Sequence, residues 1–241
     1  MDLEYNGYIL SLEIEKKDGA SHYPFNIPSL QNLESLEFHP AVTFFTGDNG
    51  VGKSTLIEAI AVNLGFNAEG GSKNFNFSTK ETHSDLHSRM KITKSFKQVK
   101  DGFFLRSESF YNLATVIDSY DRALLNSYGG VSLHEQSHGE SFWAIFKNRF
   151  KGNGLYILDE PESALSATRQ LAMLSQLDSL VQRQSQFIIV THSPLLLSFP
   201  NAVIYEISED GLNKVAYKET EVYRVYKSFL DSPERAFSLL F

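Results

Sequence analysis

The chain has 241 residues, 42% hydrophobic and 21% charged, with a formal net charge of −7. This suits one large folded domain with a sizeable core, and it argues against binding nucleic acid by bulk charge while leaving a local basic face open. Cysteine is absent, which excludes disulfides, thiol catalysis and cysteine-ligated zinc. No apolar run approaches the roughly eighteen residues of a membrane span, and the start MDLEYNGYIL lacks the plan of a signal peptide, so a cytoplasmic location is expected.

Residues 8–14, YILSLEI, alternate apolar and polar as a half-buried strand does. Asp18-Gly19 reads as a turn, Tyr23-Pro24-Phe25-Asn26-Ile27-Pro28 as an extended proline-bounded stretch, and Leu33 to Phe38 as a second strand. Residues 1–40 are therefore expected to form an antiparallel β-layer. Tyr23 or Phe25 either stacks on a ligand's aromatic ring or packs within that layer.

The unit 41–66 carries the strongest local signal. An apolar run, Val42 to Phe45, leads into Gly47-Asp48-Asn49-Gly50-Val51-Gly52-Lys53-Ser54-Thr55 and then a helical pattern, which is strand, P-loop, helix. Backbone N–H groups from Asn49, Gly50, Val51, Gly52, Lys53, Ser54 and Thr55 would line a concavity at a helix N-terminus, where orphan donors and the helix dipole favour a phosphate. Lys53 would reach the outer phosphates, and Ser54 would ligate a magnesium ion bridging the same oxygens.

Beyond this unit, residues 67–88 are polar and rich in Gly, Ser, Asn and Thr, and read as a loop near the nucleotide mouth. Arg89, Lys91, Lys94, Lys97 and Lys100 form the chain's basic concentration, either a solvated face or a contact for nucleic acid phosphates. Gly102 to Arg106 reads as a buried strand, with a helix from Glu108 toward Leu125 and a second helix carrying Trp143, Ile145, Phe146 and Phe150. Leu155-Tyr156-Ile157-Leu158 has little periodicity and ends in Asp159-Glu160, as suits a central parallel strand with carboxylates at its ligand edge. A long amphipathic helix, 165–182, is expected to bury Leu171, Leu174, Leu177, Leu180 and Val181. Phe187 to Val190 is a second buried strand, ending in Thr191-His192-Ser193-Pro194. A strand over 203–207 and helices over 219–241, split at Ser232-Pro233, complete the chain.

Taken in order, GDNGVGKST, QSHGES, LYILDEPESALS and VTHSP resemble the ABC-class ATPases, and in detail the small stand-alone bacterial AAA-family ATPases related to SMC and RecF-type heads. The resemblance implies a single domain over 1–241: an α/β P-loop NTPase with a mostly parallel central sheet, flanking helices, the N-terminal β-layer and a helical signature-motif subdomain over 108–150, with the strands of 151–207 supplying the acidic pair and the histidine. It further implies ATP and magnesium as cofactors. Asp159 would hold the metal with Ser54, Glu160 would activate water, and His192 would contact the γ-phosphate. Ser137, Gly139 and Glu140 would bind the ATP of a second copy, giving a head-to-tail homodimer. The metal carboxylate or glutamine after the preceding strand is Glu108, or alternatively Gln98. The serine at Ser166, where aspartate is common, departs from the pattern. The activity implied is ATP hydrolysis driving a dimerisation switch coupled to an effector protein or DNA in maintenance or defence; the alternative is the nucleotide-binding subunit of a transporter.

Overall fold

The computed structural model of the protein describes residues 6–15, 23–73, 84–119 and 125–241. In chain order its strands are β1 (Ile9–Ile14), β2 (Ser35–Glu37), β3 (Val42–Gly47), β4 (Met90–Lys94), β5 (Asp101–Arg106), β6 (Gly154–Asp159), β7 (Gln186–Val190), β8 (Val203–Ser208) and β9 (Gly211–Val215). The helices are α1 (Pro28–Gln31), α2 (Lys53–Asn63), α3 (Phe110–Asp118), α4 (His138–Arg149), α5 (Ala167–Gln182), α6 (Pro194–Leu197), α7 (Glu221–Asp231) and α8 (Pro233–Leu240).

Six strands form the central sheet in the order β5-β6-β7-β3-β8-β9, parallel throughout except for the β8–β9 hairpin. The strands lack polar alternation because both faces are covered. Along β6, Leu155 and Ile157 enter one core while Tyr156 and Leu158 enter the other. Along β7, Ile188 and Val190 divide from Phe187 and Ile189 in the same way. One core contains Leu56, Ile57 and Ile60 of α2, and the opposite one contains Phe142, Ile145 and Phe146 of α4. The helix after the P-loop and the helix after QSHGES thus flank opposite faces of the sheet.

The antiparallel layer is present, but with a third strand that the sequence did not assign to it. β1 pairs with β2 on one side and with β4 on the other, so residues 90–94 complete the layer. Gln186, fully buried at the start of β7, fastens this layer to the central sheet. Its side chain accepts from the amides of Tyr8 (2.7 Å) and Ile9 (3.0 Å) and donates to the carbonyls of Ile9 (2.9 Å) and His39 (3.0 Å). Of the basic stretch, Lys91 and Lys94 lie exposed on this layer's outer strand, where Met90 is buried. Lysines on an edge strand discourage pairing with another sheet.

Two expectations about helices are corrected. In α5 the buried positions are Met173, Leu177 and Leu180, with Leu174 and Val181 at the margin, whereas Leu171 is 54% exposed. Met173 holds the position i−4 to Leu177, and Leu171 points the other way. The helix begun at Phe110 ends at Asp118, not near Leu125. There the Asp118 carboxylate accepts from the amides of Leu133 (3.0 Å) and His134 (3.2 Å), tying the helix end to the next turn. Residues 120–124, the Asp18-Gly19 turn and positions 74–83 of the polar stretch lie outside the described residues.

Candidate functional site

The P-loop joins β3 to α2 in the geometry its glycines require. At Gly47, φ is 135° and an added Cβ would lie 2.0 Å from the Ile207 carbonyl oxygen of the neighbouring strand. Gly52, at φ 99°, opens α2 without a side-chain cap, so the first amides of the helix are left for an anion. Lys53 is 5% exposed, and its Nζ donates to the carbonyls of Gly47 (2.9 Å) and Asp48 (2.5 Å). Burial lowers its pKa, against the opposing pull of the Glu160, Asp159 and Asp48 carboxylates. Helix α1 buttresses the loop through the Ser29 hydroxyl, which donates to the Val51 carbonyl. Tyr23 is 59% exposed with its hydroxyl 3.1 Å from Thr55 Oγ1, whereas the Phe25 ring lies beneath the Arg89 guanidinium at 3.8 Å. Of the two candidate stacking residues, Tyr23 is the one beside the first turn of α2 with its ring exposed.

The parallel strands β3, β5, β6 and β7 all end at this edge of the sheet. Asp159, the last residue of β6, is 4% exposed, and Ser54 Oγ donates to its Oδ1 at 3.3 Å. Burial raises its pKa to about 7; Glu160 and Glu108 add to the rise, while Arg106 and the Ser54 hydroxyl oppose it. Glu160 adopts a left-handed backbone (φ 51°), held by its amide donating to the Val190 carbonyl at 3.0 Å. A non-glycine residue kept in this conformation marks a place where side-chain direction outweighs backbone strain. Its carboxylate lies 3.6 Å from His192 Nε2, a buried nitrogen that has no hydrogen-bond partner among the described residues. Burial, and then the charge on Lys53, lower the His192 pKa, which favours a neutral imidazole at pH 7.

Arg106, at the end of β5, was not singled out in the sequence. Its guanidinium pairs with Glu58 of α2, with Glu108 at 2.7 Å, and approaches Asp159 at 3.8 Å. Although burial works against it, these carboxylates raise its pKa. Glu108 therefore sits on the same network as Asp159, its side chain 75% exposed. Gln98 precedes β5, and because Asp101 is in register with Gly154, it lies at the opposite edge of the sheet from Asp159. Of the two, Glu108 is the one at the Asp159 end of the strands.

Ser137 caps α4, and both its amide (3.1 Å) and its hydroxyl (2.6 Å) donate to Glu140 Oε2. These bonds lower the pKa of the exposed Glu140 carboxylate. At Gly139 a Cβ would lie 2.6 Å from the Ala164 carbonyl oxygen, so the glycine is required by contact within the chain. Arg169 of α5 also donates to the Gly139 carbonyl at 3.1 Å. Among the described residues no hydrogen bond or ion pair joins Ser137, Gly139 or Glu140 to Lys53, Ser54, Asp159 or His192.

Glu162 is a second residue that sequence reasoning passed over, seen only as a letter in DEPES. It is largely buried, its Oε1 accepts the His192 amide at 2.6 Å, and burial raises its pKa. Its signal was a carboxylate placed just past a buried strand end.

A profile of the AAA domain family matches residues 25–194, from the YPF stretch through the THSP turn. The chain belongs to the AAA domain family. The match spans the parallel strands β5, β6, β7 and β3 of the central sheet and stops before the β8–β9 hairpin. Among solved structures, this AAA domain is similar to cbiO1 from Clostridium perfringens, part of the ABC transporter complex cbiONQ, at 15% identity, covering 98% of this chain and 100% of that one with a TM-score of 0.53. It is similar to the SmcHead bound to the C-winged helix domain of ScpA, at 12% identity over 86% and 97% of the two chains with a TM-score of 0.50. It is likewise similar to a bacterial Atm1-family ABC exporter with ATP bound, at 14% identity over 92% of this chain and 42% of that one, with a TM-score of 0.53. No curated protein matches at a significant level. This AAA domain is thus an ATPase-type P-loop domain with the fold shared by SMC heads and ABC ATPase subunits. Among its described residues, no helix is long and apolar enough to cross a membrane.

Proposed function

We propose that the protein hydrolyses ATP and uses the cycle as a dimerisation switch. The observation that carries this reading is the convergence of Lys53, the Ser54–Asp159 pair and the Glu160–His192 pair at one sheet edge, beside a helix N-terminus left without a side-chain cap. Lys53 binds the outer phosphates, exchanging carbonyl acceptors for anionic oxygens. Glu160 orients the attacking water and takes its proton, and the neutral His192 presents Nε2 to the γ-phosphate. Ser54 Oγ and Asp159 Oδ1 form a pair of hard oxygen donors that fits magnesium, and together with Glu108 they would hold it. An ion held there would supply charge neutralisation at the phosphate oxygens.

Ser137, Gly139 and Glu140 take no part in the monomer's cluster. The exposure of Ser137 and Glu140 at the start of α4 supports their facing the nucleotide of a second copy, with residues 1–241 acting as one ATPase unit in a head-to-tail homodimer. A cytoplasmic protein of this design would pass the cycle to an effector protein or DNA. The fold is shared by an SMC head bound to a winged-helix domain and by a transporter subunit, so a protein partner is the more direct reading. ATP turnover and equilibrium ATP binding test the core of the proposal. Wild type hydrolyses ATP, Glu160→Gln binds ATP but loses turnover, and Lys53→Ala binds none. Tight ATP binding by Lys53→Ala, or undiminished turnover by Glu160→Gln, contradicts it.

A further inference from the structure

The turn after β7 is fastened on both sides of His192 by bonds that do not involve the histidine. Before it, the Thr191 amide donates to the Phe45 carbonyl at 3.0 Å. After it, the Ser193 amide donates to Thr191 Oγ1 at 3.0 Å, and the Ser193 hydroxyl donates to Gln170 Oε1 at 2.6 Å. The intervening amide, that of His192, is held by a side chain from another loop, the 2.6 Å bond to Glu162 Oε1. Glu162 reaches it from the short turn that follows β6, three residues past Asp159. The Thr191 side chain and the Glu162 amide also bond to this carboxylate, yet Oε2 is sealed from solvent without a hydrogen-bond partner among the described residues. An incompletely satisfied buried carboxylate is a costly way to stabilise a fold. It is an effective way to fix the distance between two loops.

We infer that Glu162 is a positioning residue, which ties the main chain of His192 to the loop of Glu160 and so sets the imidazole beside the catalytic carboxylate. The inference rests on the roles given above to His192 and Glu160. It deepens that reading by naming the strut that couples the two strand ends. The Thr191 amide bond to Phe45 and the Ser193 hydroxyl bond to Gln170 do not involve Glu162, so its loss would release the His192 amide, together with the Thr191 hydroxyl it also holds, while the sheet stays intact.

The test compares Glu162→Gln, Glu162→Ala and Glu162→Asp in the full chain. Gln keeps an acceptor oxygen at the same reach, whereas Ala removes it and Asp falls one methylene short. Hydrogen exchange of the His192 amide, followed by NMR without nucleotide, should accelerate by roughly tenfold or more in Ala and Asp and stay near wild type in Gln, with the amides of Phe187 to Val190 unchanged. In ATP turnover, Ala and Asp should lower kcat by about tenfold to a hundredfold with KM within about twofold, and Gln should retain kcat within about threefold. Unchanged His192 exchange in the Ala and Asp variants overturns the inference, as does a Gln variant that falls as far as Ala with its amide still protected. If wild type shows no ATP turnover, the functional reading fails, and the exchange experiment alone then decides whether Glu162 holds His192.

Discussion

Replacing Asp159 with Asn should stabilise the nucleotide-free protein while abolishing its activity. Asp159 is 4% exposed, and its pKa rises from an ordinary 3.8 to about 7 because burial penalises the ionised form more than Arg106 and Ser54 relieve it. Between those two values the folded state binds a proton that the unfolded state has released, so stability falls as pH rises through this window. Integrating the linkage, the penalty grows from about 1.6 kcal/mol at pH 5 to about 4 kcal/mol at pH 8. Asn carries no such cost and still accepts from the Ser54 hydroxyl. Urea unfolding of both proteins in EDTA at pH 5, 6, 7 and 8 should show the variant gaining on wild type by about 2 to 3 kcal/mol across the series. A difference that does not change with pH, or a variant less stable than wild type at pH 8, would refute the reasoning.

Other residues give narrower tests. Gly139→Ala drives a methyl group to 2.6 Å from the Ala164 carbonyl oxygen and should cost about 1 to 3 kcal/mol in urea unfolding; an unchanged midpoint contradicts the packing reason given for this glycine. Tyr23→Ala, at an exposed position beside Thr55, should raise the KM for ATP several-fold with kcat and stability nearly unchanged, and an unaltered KM removes Tyr23 from the nucleotide site.

The parallel sheet was legible because buried strands advertise themselves as apolar runs, and Val42 to Phe45, Leu155 to Leu158 and Phe187 to Val190 all occupy its centre. Lys53, Ser54, Asp159 and His192 could be nominated because each stands at the end of such a run or in a contiguous motif whose geometry is local. Arg106 and Glu162 could not, since what distinguishes them is a partner 48, 53 or 30 residues away that only the assembled sheet supplies. Gln186 was invisible for the same reason, with partners as far as 178 residues off. The membership of β4 in the N-terminal layer also depends on long-range pairing, and its lysines drew attention to charge when the informative residue was the buried Met90. In α5 the apolar count favoured Leu171 over Met173, although both spacings are helical, and only the neighbouring core decides between them.

Molecular mass in solution tests the central claim most directly. Glu160→Gln protein with ATP and magnesium, measured by size-exclusion chromatography with light scattering, should run as a dimer, return to monomer when nucleotide is removed, and stay monomeric with ATP bound once Ser137→Arg is added. A Glu160→Gln protein that binds ATP yet remains monomeric, or a Ser137→Arg protein that dimerises normally, would contradict association controlled by ATP.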